Sequence, residues 1–222
     1  MKVLVFDTET TGLPERGALI TSTDKWPYII QLSYILYDIS TNDMHVNDGY
    51  VKLDKDIEIS KESQNIHGIT KEKLDKEGMN ISYALMQFNN MFCDADIVIG
   101  HNLEFDKNMI LVESLRNNLE QQFCYYKKGR RYKKNEYCTM KNTATLCGII
   151  KTNKLGKEYF KYPKLIELYR RLFPHERDPK NLHNSLFDVL VTLRCYLKYK
   201  HEKDLFEINE TANYLYNCYG NV

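Results

Sequence analysis

Apolar and polar positions follow the spacing of strands over the first quarter of the chain. The run from Lys2 to Phe6 predicts a short buried strand. Residues 28–39, YIIQLSYILYDI, are rich in β-branched and aromatic side chains and predict a long second strand. After the turn STND, residues 44–53 predict a third strand, bulged near Gly49. The three strands are therefore expected to form an antiparallel meander.

Further along the chain the apolar spacing becomes helical. A short strand over 95–100 leads into a helix over 101–122 with Asn102 as its N-cap, and residues 137–149 predict another strand followed by a helix. Antiparallel strands followed by strand–helix crossovers predict an α/β fold with helices packed on a mixed sheet. With no repeat and no linker, residues 1–222 are expected to form one domain ending in a helical extension at about 203–218. The other predicted helices cover residues 71–77, 81–92, 162–173, 183–200 and 204–219.

Composition narrows the classes of protein to which the chain can belong. Of 222 residues, 43% are hydrophobic and 27% charged, which is typical of a globular protein. The net charge of +1 gives no global attraction to nucleic acid or membrane, so any electrostatic footprint must be local. The six cysteines lack metal-site spacing and are interpreted as reduced thiols. Without a secretory signal or a membrane-length apolar run, an intracellular soluble protein, cytoplasmic or nuclear, with no membrane partner is expected.

Four acidic residues stand in unusually apolar surroundings. Asp7 and Glu9 are two residues apart at the end of the first strand, so they point to the same face. They repel each other and lose hydration, and a positive partner must compensate. Asp106 lies in the first turns of a predicted helix and Asp188 lies within an apolar helical stretch. Each residue alone has a structural explanation: a turn for the first pair, the helix dipole for Asp106 and a solvent-facing position for Asp188.

Taken together, three short segments carry a family resemblance. FDTETTG, HNLEFD and HNSLFD resemble the three motifs of the DEDDh 3′–5′ exonucleases, the superfamily of DnaQ-like proofreading subunits and RNase T. The similarity extends over roughly residues 2–198 and includes NIHGIT at 65–70. Ser185 and Val189 depart from it, because many relatives have alanine there. The matching residues are Asp7, Glu9 and Thr10, then His101, Asn102, Phe105 and Asp106, then His183 and Asp188.

The resemblance implies a fold and a mechanism. The fold is the RNase H-like mixed five-stranded sheet flanked by helices. Asp7, Glu9, Asp106 and Asp188 are expected to hold two Mg²⁺ or Mn²⁺ ions, the hard cations that all-oxygen ligand sets favour. His183 is expected to act as general base from a flexible loop before the last motif's helix, swinging in when substrate binds.

The same motifs predict contacts with substrate. Backbone amides near Thr10 and Gly12 can approach a sugar or phosphate closely, Leu13 resembles the family's apolar wedge, and Phe105 can stack on a base. His101 is interpreted as a group that orients the pocket rather than a metal ligand, and His67 as a structural residue or part of the substrate groove. The predicted substrate-binding residues around the acids are Thr10, Gly12, Leu13, His101, Asn102 and Phe105.

A basic insertion at about 122–137 is longer than in relatives. It places six Lys or Arg residues among the eight positions from 127 to 134, with Gly129 positioned to turn a hairpin. Such a charge run is either a solvated excursion or a phosphate-binding finger, and the neutrality of the remaining chain favours the finger. Its expected substrate contacts are Lys127, Lys128, Arg130 and Arg131, with Tyr125, Tyr126 and Tyr132 offering stacking faces.

Three functions are compatible with these features. The leading hypothesis is a metal-dependent 3′–5′ exonuclease that acts on single-stranded nucleic acid or 3′ ends, with DNA slightly favoured over RNA. The alternatives are an RNA or oligonucleotide exonuclease, or an endonuclease, on the same scaffold, and a non-catalytic polymerase-accessory module. A polymerase or a second copy of the chain are the further partners to consider. Retention of all four acids and His183 argues against the non-catalytic alternative.

Overall fold

The computed structural model describes residues 1–121 and 123–220, the side chains of 125–127 and 219–220 excepted. Nine strands and ten helices occur in these residues, together with a short 3-10 helix at Thr23–Lys25. In chain order the elements are β1 (Lys2–Thr10), β2 (Ile29–Asp38), β3 (Met44–Tyr50), α1 (Lys61–His67), α2 (Lys71–Glu77), α3 (Ile81–Asp94), β4 (Ile97–Gly100), α4 (Leu103–Arg116), β5 (Cys124–Lys127), β6 (Arg130–Lys133), β7 (Asn135–Cys138), α5 (Thr139–Asn142), α6 (Ala144–Cys147), β8 (Ile150–Thr152), β9 (Glu158–Phe160), α7 (Leu165–Leu172), α8 (Ser185–His201), α9 (Leu205–Ile208) and α10 (Glu210–Gly220).

A mixed five-stranded sheet forms the centre of the fold, in the order β3-β2-β1-β4-β7. β1, β2 and β3 form the antiparallel meander, whereas β4 and β7 run parallel to β1. This arrangement confirms the predicted α/β class and the five-stranded sheet. Because the parallel strands share one direction, the carboxyl ends of β1, β4 and β7 all lie on the same side of the sheet.

The predicted bulge near Gly49 is wrong. The β2–β3 register runs without a shift, with Leu32 opposite Gly49, and the irregularity lies instead between Glu9 and Thr10 in β1. Gly49 has a packing role, since an added Cβ would lie 2.7 Å from Cε of Met79. The glycine therefore marks a close approach within a regular strand.

The two faces of β1 are buried against different helices. Leu4 and Phe6 belong to a cluster that α3 and α4 cover, and Val3 and Val5 belong to a second cluster under α8. Side chains alternate between faces along a strand. Asp7 and Glu9 continue the odd-numbered series and therefore face α8.

Several element boundaries differ from the predictions. The chain segment predicted as one last helix is divided into α9 and α10, because Asn209 is extended and its side-chain oxygen accepts a hydrogen bond from the Ala212 amide at 2.8 Å. α4 ends at Arg116 rather than continuing to 122. Two elements were not predicted from the sequence. One is α1, which Ser60 caps, and the other is the β8–β9 hairpin, whose six strand residues are exposed and leave no apolar pattern.

A buried arginine ties the last helices to the rest of the fold. Arg194 of α8 is 4% exposed and forms ion pairs of 2.6 Å with both Glu176 and Asp204. Its guanidinium lies 3.9 Å from the ring centroid of Phe173 and 4.2 Å from that of Phe206. In the part of the chain described above, no helix is both long enough and apolar enough to cross a bilayer.

Candidate active site

Three carboxylates meet where β1 faces the first turn of α8. Asp7, Glu9 and Asp188 each offer an oxygen, and these oxygens lie within 4.8 Å of one another. α8 begins after Asn184, whose side-chain oxygen accepts a hydrogen bond from the Phe187 amide at 3.2 Å. This cap fixes the first turn of α8, and Asp188 lies one turn beyond it.

Polar contacts hold the start of α8 against the sheet. The Ser185 hydroxyl donates to the Asp7 carbonyl oxygen at 2.7 Å, and the Ser185 amide donates to Oε1 of Gln31 at 3.4 Å. Gln31 is fully buried opposite Glu9 and donates through Nε2 to Asp48 at 2.8 Å. Ser185, one of the two departures from the family pattern, therefore links α8 directly to β1.

Asp106 reaches the same end of β1 from the other face of the sheet. It is 3% exposed, and its Oδ1 accepts hydrogen bonds from the Thr8 amide at 3.0 Å and the Thr8 hydroxyl at 2.8 Å. Asp106 lies outside the group formed by Asp7, Glu9 and Asp188. Its charge nevertheless raises the pKa of all three.

Burial raises the pKa of all four acids, and repulsion by neighbouring carboxylates raises it further at Asp7, Glu9 and Asp188. Burial is the largest cause at each residue, followed at Asp7 by the charges of Asp106 and Asp188. The pKa of Asp7 lies well above its ordinary value, that of Glu9 rises to about 8, and those of Asp106 and Asp188 rise to about 7. The folded chain thus concentrates negative charge that lacks hydration.

The side chains at this site suit a divalent cation. Oδ1 of Asp188 is buried and has no hydrogen-bond partner among the described residues, although such atoms normally find one. The donor set consists of carboxylate oxygens, which favour Mg²⁺ and Mn²⁺. A bound cation would satisfy the unpartnered oxygen and offset the repulsion.

His183 lies beside these acids in the turn that precedes α8. Its backbone adopts a φ of 79°, and its amide donates to Oδ2 of Asp188 at 3.2 Å. Partial burial, and secondarily the charge of Lys164, lowers the pKa of the imidazole below its usual value. The partly exposed ring is therefore largely neutral at pH 7.

A groove of about 420 Å³ begins at the acids. It is bounded by the end of β1 and the following loop, by α1, and by one side chain of α4. Leu13 is 83% exposed at its margin, and the Thr10 hydroxyl donates to the Gly12 carbonyl oxygen at 2.7 Å. The lining residues are Thr8, Glu9, Thr10, Gly12, Leu13, Ser60, Glu62, Ser63, Ile66, His67 and Phe105.

The groove brings four of the predicted substrate residues together: Thr10, Gly12, Leu13 and Phe105. The wall formed by α1 was not predicted as a substrate contact, apart from His67 in the NIHGIT segment. A seven-residue helix with no buried side chain leaves little apolar periodicity. The resemblance of that segment to the family was the available signal.

His101 and Asn102 are placed differently from the groove residues. The ring nitrogens of His101 lie 3.0 Å from the Thr139 hydroxyl and 3.0 Å from the Pro163 carbonyl oxygen, and burial lowers its pKa to about 4. A substrate contact through this ring would break one of these bonds, so the geometry favours an orienting role. Asn102 occupies the N-cap position of α4 in a left-handed conformation, but its side chain makes no capping hydrogen bond.

The basic insertion forms a hairpin at the end of the parallel strands opposite to the acids. β5 and β6 pair through a turn at Lys128 and Gly129, both with positive φ, as predicted for Gly129. The hairpin precedes β7, whose first residue pairs with the start of β4. Lys128, Arg130 and Arg131 are exposed. The side chains of the predicted contacts Lys127, Tyr125 and Tyr126 lie outside the described residues.

One residue of the basic run does not belong to the exposed finger. Lys134 is 4% exposed, and its Nζ donates to the Ala95 carbonyl oxygen at 2.6 Å. Lys134 therefore fastens the base of the hairpin to the body of the protein.

Comparison with known proteins was made for sequence families, curated sequences and solved structures. The model of the family described as "RNase_T: Exonuclease" matches residues 4–196. No curated protein matches the sequence. Structural similarity extends to E. coli Exonuclease I in complex with a dT13 oligonucleotide, with a TM-score of 0.62 and 18% identity over 93% of this chain and 42% of that one.

Two further solved structures show the same fold. Exonuclease I from Methylocaldum szegediense aligns with a TM-score of 0.62 and 18% identity over 93% of this chain and 42% of that one. The zinc-bound E. coli ExoI–ssDNA complex aligns with a TM-score of 0.63 and 18% identity over 95% of this chain and 43% of that one. The chain spans less than half the length of these structures. Because the family model covers most of the sequence, the chain belongs to the RNase T exonuclease family, within the DEDDh superfamily that its three motifs resemble.

Proposed function

We propose that the protein is a metal-dependent 3′–5′ exonuclease that hydrolyses single-stranded nucleic acid to 5′-mononucleotides and prefers DNA. The observation that carries this proposal is the group formed by Asp7, Glu9 and Asp188, in which Asp188 also has a buried Oδ1 without a hydrogen-bond partner among the described residues. The adjoining groove supplies a place for the last nucleoside of the strand.

The acids would hold two Mg²⁺ or Mn²⁺ ions. Asp7, Glu9 and Asp188 form one ligand group, and Asp106 approaches from the α4 side. When bound, such ions activate the attacking water and stabilise charge that develops on the leaving oxygen. The Thr8 amide and hydroxyl keep Asp106 oriented toward this end of β1.

His183 is proposed to take a proton from the attacking water at an imidazole nitrogen. Its lowered pKa keeps the ring neutral, which a base requires. The hydrogen bond from its backbone amide to Asp188 holds the turn beside the acids. Its position before α8 suits a side chain that closes over bound substrate.

The groove would bind the 3′-terminal nucleoside. Leu13 and Phe105 offer apolar surface to the base, and the small Gly12 allows the backbone to approach the sugar. Single-stranded DNA is the proposed substrate because the structurally similar Exonuclease I complexes contain dT13 and single-stranded DNA.

The proposal is tested by digestion of matched 12-nucleotide DNA and RNA strands that carry a 5′ label. With Mg²⁺ or Mn²⁺ we expect a ladder that shortens from the 3′ end, faster on DNA, and no cleavage with a chelator. Asp7→Asn should remove the activity, whereas Asp75→Asn on the exposed side of α2 should not. Immediate internal fragments would indicate an endonuclease, faster RNA digestion an RNA exonuclease, and inertness on every strand a non-catalytic module.

A further inference from the structure

We propose that the basic hairpin binds the same single strand several nucleotides upstream of its cleaved end, along a path over α4 and β7. This inference rests on the proposed function. It specifies where along the substrate the predicted phosphate-binding finger acts, because β5 and β6 precede β7 and lie at the end of the strands away from the acids. The hairpin therefore contributes through the length of the substrate rather than through the scissile phosphate.

The direction of the strand follows from the arrangement of the acids. In displacement at phosphorus, the attacking and leaving oxygens lie on opposite sides. His183 and Asp188 belong to the α8 side of the sheet, which is therefore the side of the attacking water. The leaving 3′ oxygen, and the upstream strand attached to it, then lie on the side where Thr8 binds Asp106 of α4.

A second groove of about 420 Å³ begins on that side. It lies between the first turns of α4, strand β7 and α5, and three lysines line it: Lys107, Lys133 and Lys141. Glu136 lies 2.7 Å from Lys107 and 3.4 Å from Lys133, and Glu104 lies 2.5 Å from Lys141. Three lysines against two glutamates leave a small positive excess, which suits passage of a strand rather than tight capture.

The groove ends at the base of the hairpin. Lys133 both lines the groove and closes β6, and it is 72% exposed. Lys128 lies in the hairpin turn, Arg130 directly follows it, and both are exposed. These three side chains supply the concentrated positive charge that the groove itself lacks, and phosphates are the matching ligand.

The distance between hairpin and acids sets the substrate length. Asn135 aligns across the sheet with Ile97 and Val3, so Lys133 lies six strand positions before Asp7, which is about 20 Å along the strand direction at about 3.3 Å per residue. At about 3.4 Å per stacked nucleotide this corresponds to about six nucleotides, and to fewer when the strand is extended. A trinucleotide cannot reach from the acids to the hairpin, whereas a 12-nucleotide strand can.

The test compares a DNA trinucleotide and a DNA 12-mer as substrates. In the triple variant K128S/R130S/K133S we expect the ratio of kcat/KM for the 12-mer to that for the trinucleotide to fall about tenfold. If the three side chains each contact a phosphate, the salt slope for the 12-mer should become shallower by about 2, with the slope for the trinucleotide unchanged. The matched control is K52S/K55S/K76S, which removes three exposed lysines: two from the segment that follows β3 and one from α2. This control should leave the ratio unaltered.

Each outcome separates the two levels of the proposal. Cleavage of both substrates with an unaltered ratio in the hairpin variant overturns the strand path and leaves the exonuclease function standing. An equal fall in the control also overturns it, because the effect would then be one of net charge. If the unmodified protein cleaves neither substrate, the proposed function fails and the path fails with it. Activity on the trinucleotide confirms that the hairpin variant is folded.

Discussion

At the scale of single residues, the dominant feature is negative charge held without compensation at the end of β1. Burial and repulsion raise the pKa of Glu9 to about 8 and that of Asp188 to about 7. Such carboxylates destabilise the fold in their charged form, which indicates that their placement serves ligand binding.

Replacing one acid should therefore separate stability from activity. We expect Asp188→Asn to raise the melting temperature of the metal-free protein at pH 8, because it removes one buried charge from the group. The same change should abolish the stabilisation by Mn²⁺ and lower kcat by at least about 100-fold. Thermal melts with and without Mn²⁺ measure both effects. A metal-free melting temperature below that of the unmodified protein would contradict the electrostatic argument.

His183 should affect turnover rather than metal binding. We expect His183→Ala to lower kcat by about 10²–10⁴, with a small change in KM and an unaltered Mn²⁺ requirement. Because the pKa of His183 is lowered, the limb of the pH–rate profile that it causes should lie below pH 6.5 and disappear in the variant. Full turnover of the variant from pH 6 to pH 8 would remove His183 from the proton transfer.

Some of the site residues could be predicted from the sequence, whereas their hydrogen-bond partners could not. The acids and His183 were predicted because their motifs are contiguous, and the structure places them around one strand end. The partners of His101 were not predictable, because Thr139 and Pro163 are distant in sequence and meet it only through folding. The role of Ser185 was also hidden, since its acceptor is a backbone carbonyl that no motif records.

At the scale of elements, α8 must be docked accurately on the sheet for Asp188 to meet Asp7. The docking contacts run from Ser185 through Gln31 to Asp48. Predicting this network requires the register of β2 against β1, which places Gln31 opposite Glu9. Hydrophobic periodicity predicts that both strands exist but does not fix which residues face each other.

Gln31→Leu should disturb this docking. The change leaves the Ser185 amide without its acceptor and Asp48 without one donor, so we expect a loss of about 1–3 kcal/mol in unfolding free energy. The concentration of Mn²⁺ required for half-maximal activity should rise as the acids move apart. Urea denaturation and metal titration measure the two effects. Ser185→Ala, which removes only the hydroxyl, serves as a milder comparison, and an unchanged metal requirement in Gln31→Leu would assign Gln31 to stability alone.

The predicted element boundaries were wrong where polar residues interrupt the apolar pattern. β1 was predicted to end at Phe6, yet its pairing with β2 continues through Asp7 and Glu9. Charged side chains made this end of the strand look like a loop, although its backbone remains in the ladder. The basic hairpin joins the start of β7, far from the acids at the other end of the parallel strands. The composition of the insertion does not indicate which end it joins, so its distance from the acids could not be predicted.

At the scale of the whole molecule, the raised pKa values make stability depend on pH and metal. Between about pH 4.5 and pH 8 the folded chain binds more protons at these acids than the unfolded chain does. The unfolding free energy of the metal-free protein should therefore fall as pH rises through this range. Mn²⁺ should stabilise more strongly at pH 8 than at pH 5, because its ligands must be deprotonated.

Thermal melts at pH 5 and pH 8, each with chelator and with Mn²⁺, measure this coupling. The control is Asp188→Asn, in which the pH dependence should be weaker and the stabilisation by Mn²⁺ absent. A metal-free protein that is more stable at pH 8 than at pH 5 would contradict the sign of the effect.

Arg194 makes the last helices part of the fold rather than an appendage. Arg194→Met should cost about 3–5 kcal/mol in unfolding free energy, since it leaves Asp204 and Glu176 without their buried partner. The comparison is Arg170→Met, whose ion pair with Asp178 is exposed and should contribute less than about 1 kcal/mol. Chemical denaturation of both variants measures the difference. Equal losses would show that the buried pair has no special weight.

The two ends of the basic hairpin are held together at its base. The Lys134 amide donates to the Phe123 carbonyl oxygen at 2.9 Å, and the Phe123 ring packs among Phe6, Phe88 and Phe92. A segment that leaves and re-enters a core at one point can change length with little effect on the remaining chain, because closing a longer loop costs little additional entropy. If the hairpin binds the strand as proposed, its substitution, shortening or exchange would create variants with new reach while β1 stays untouched.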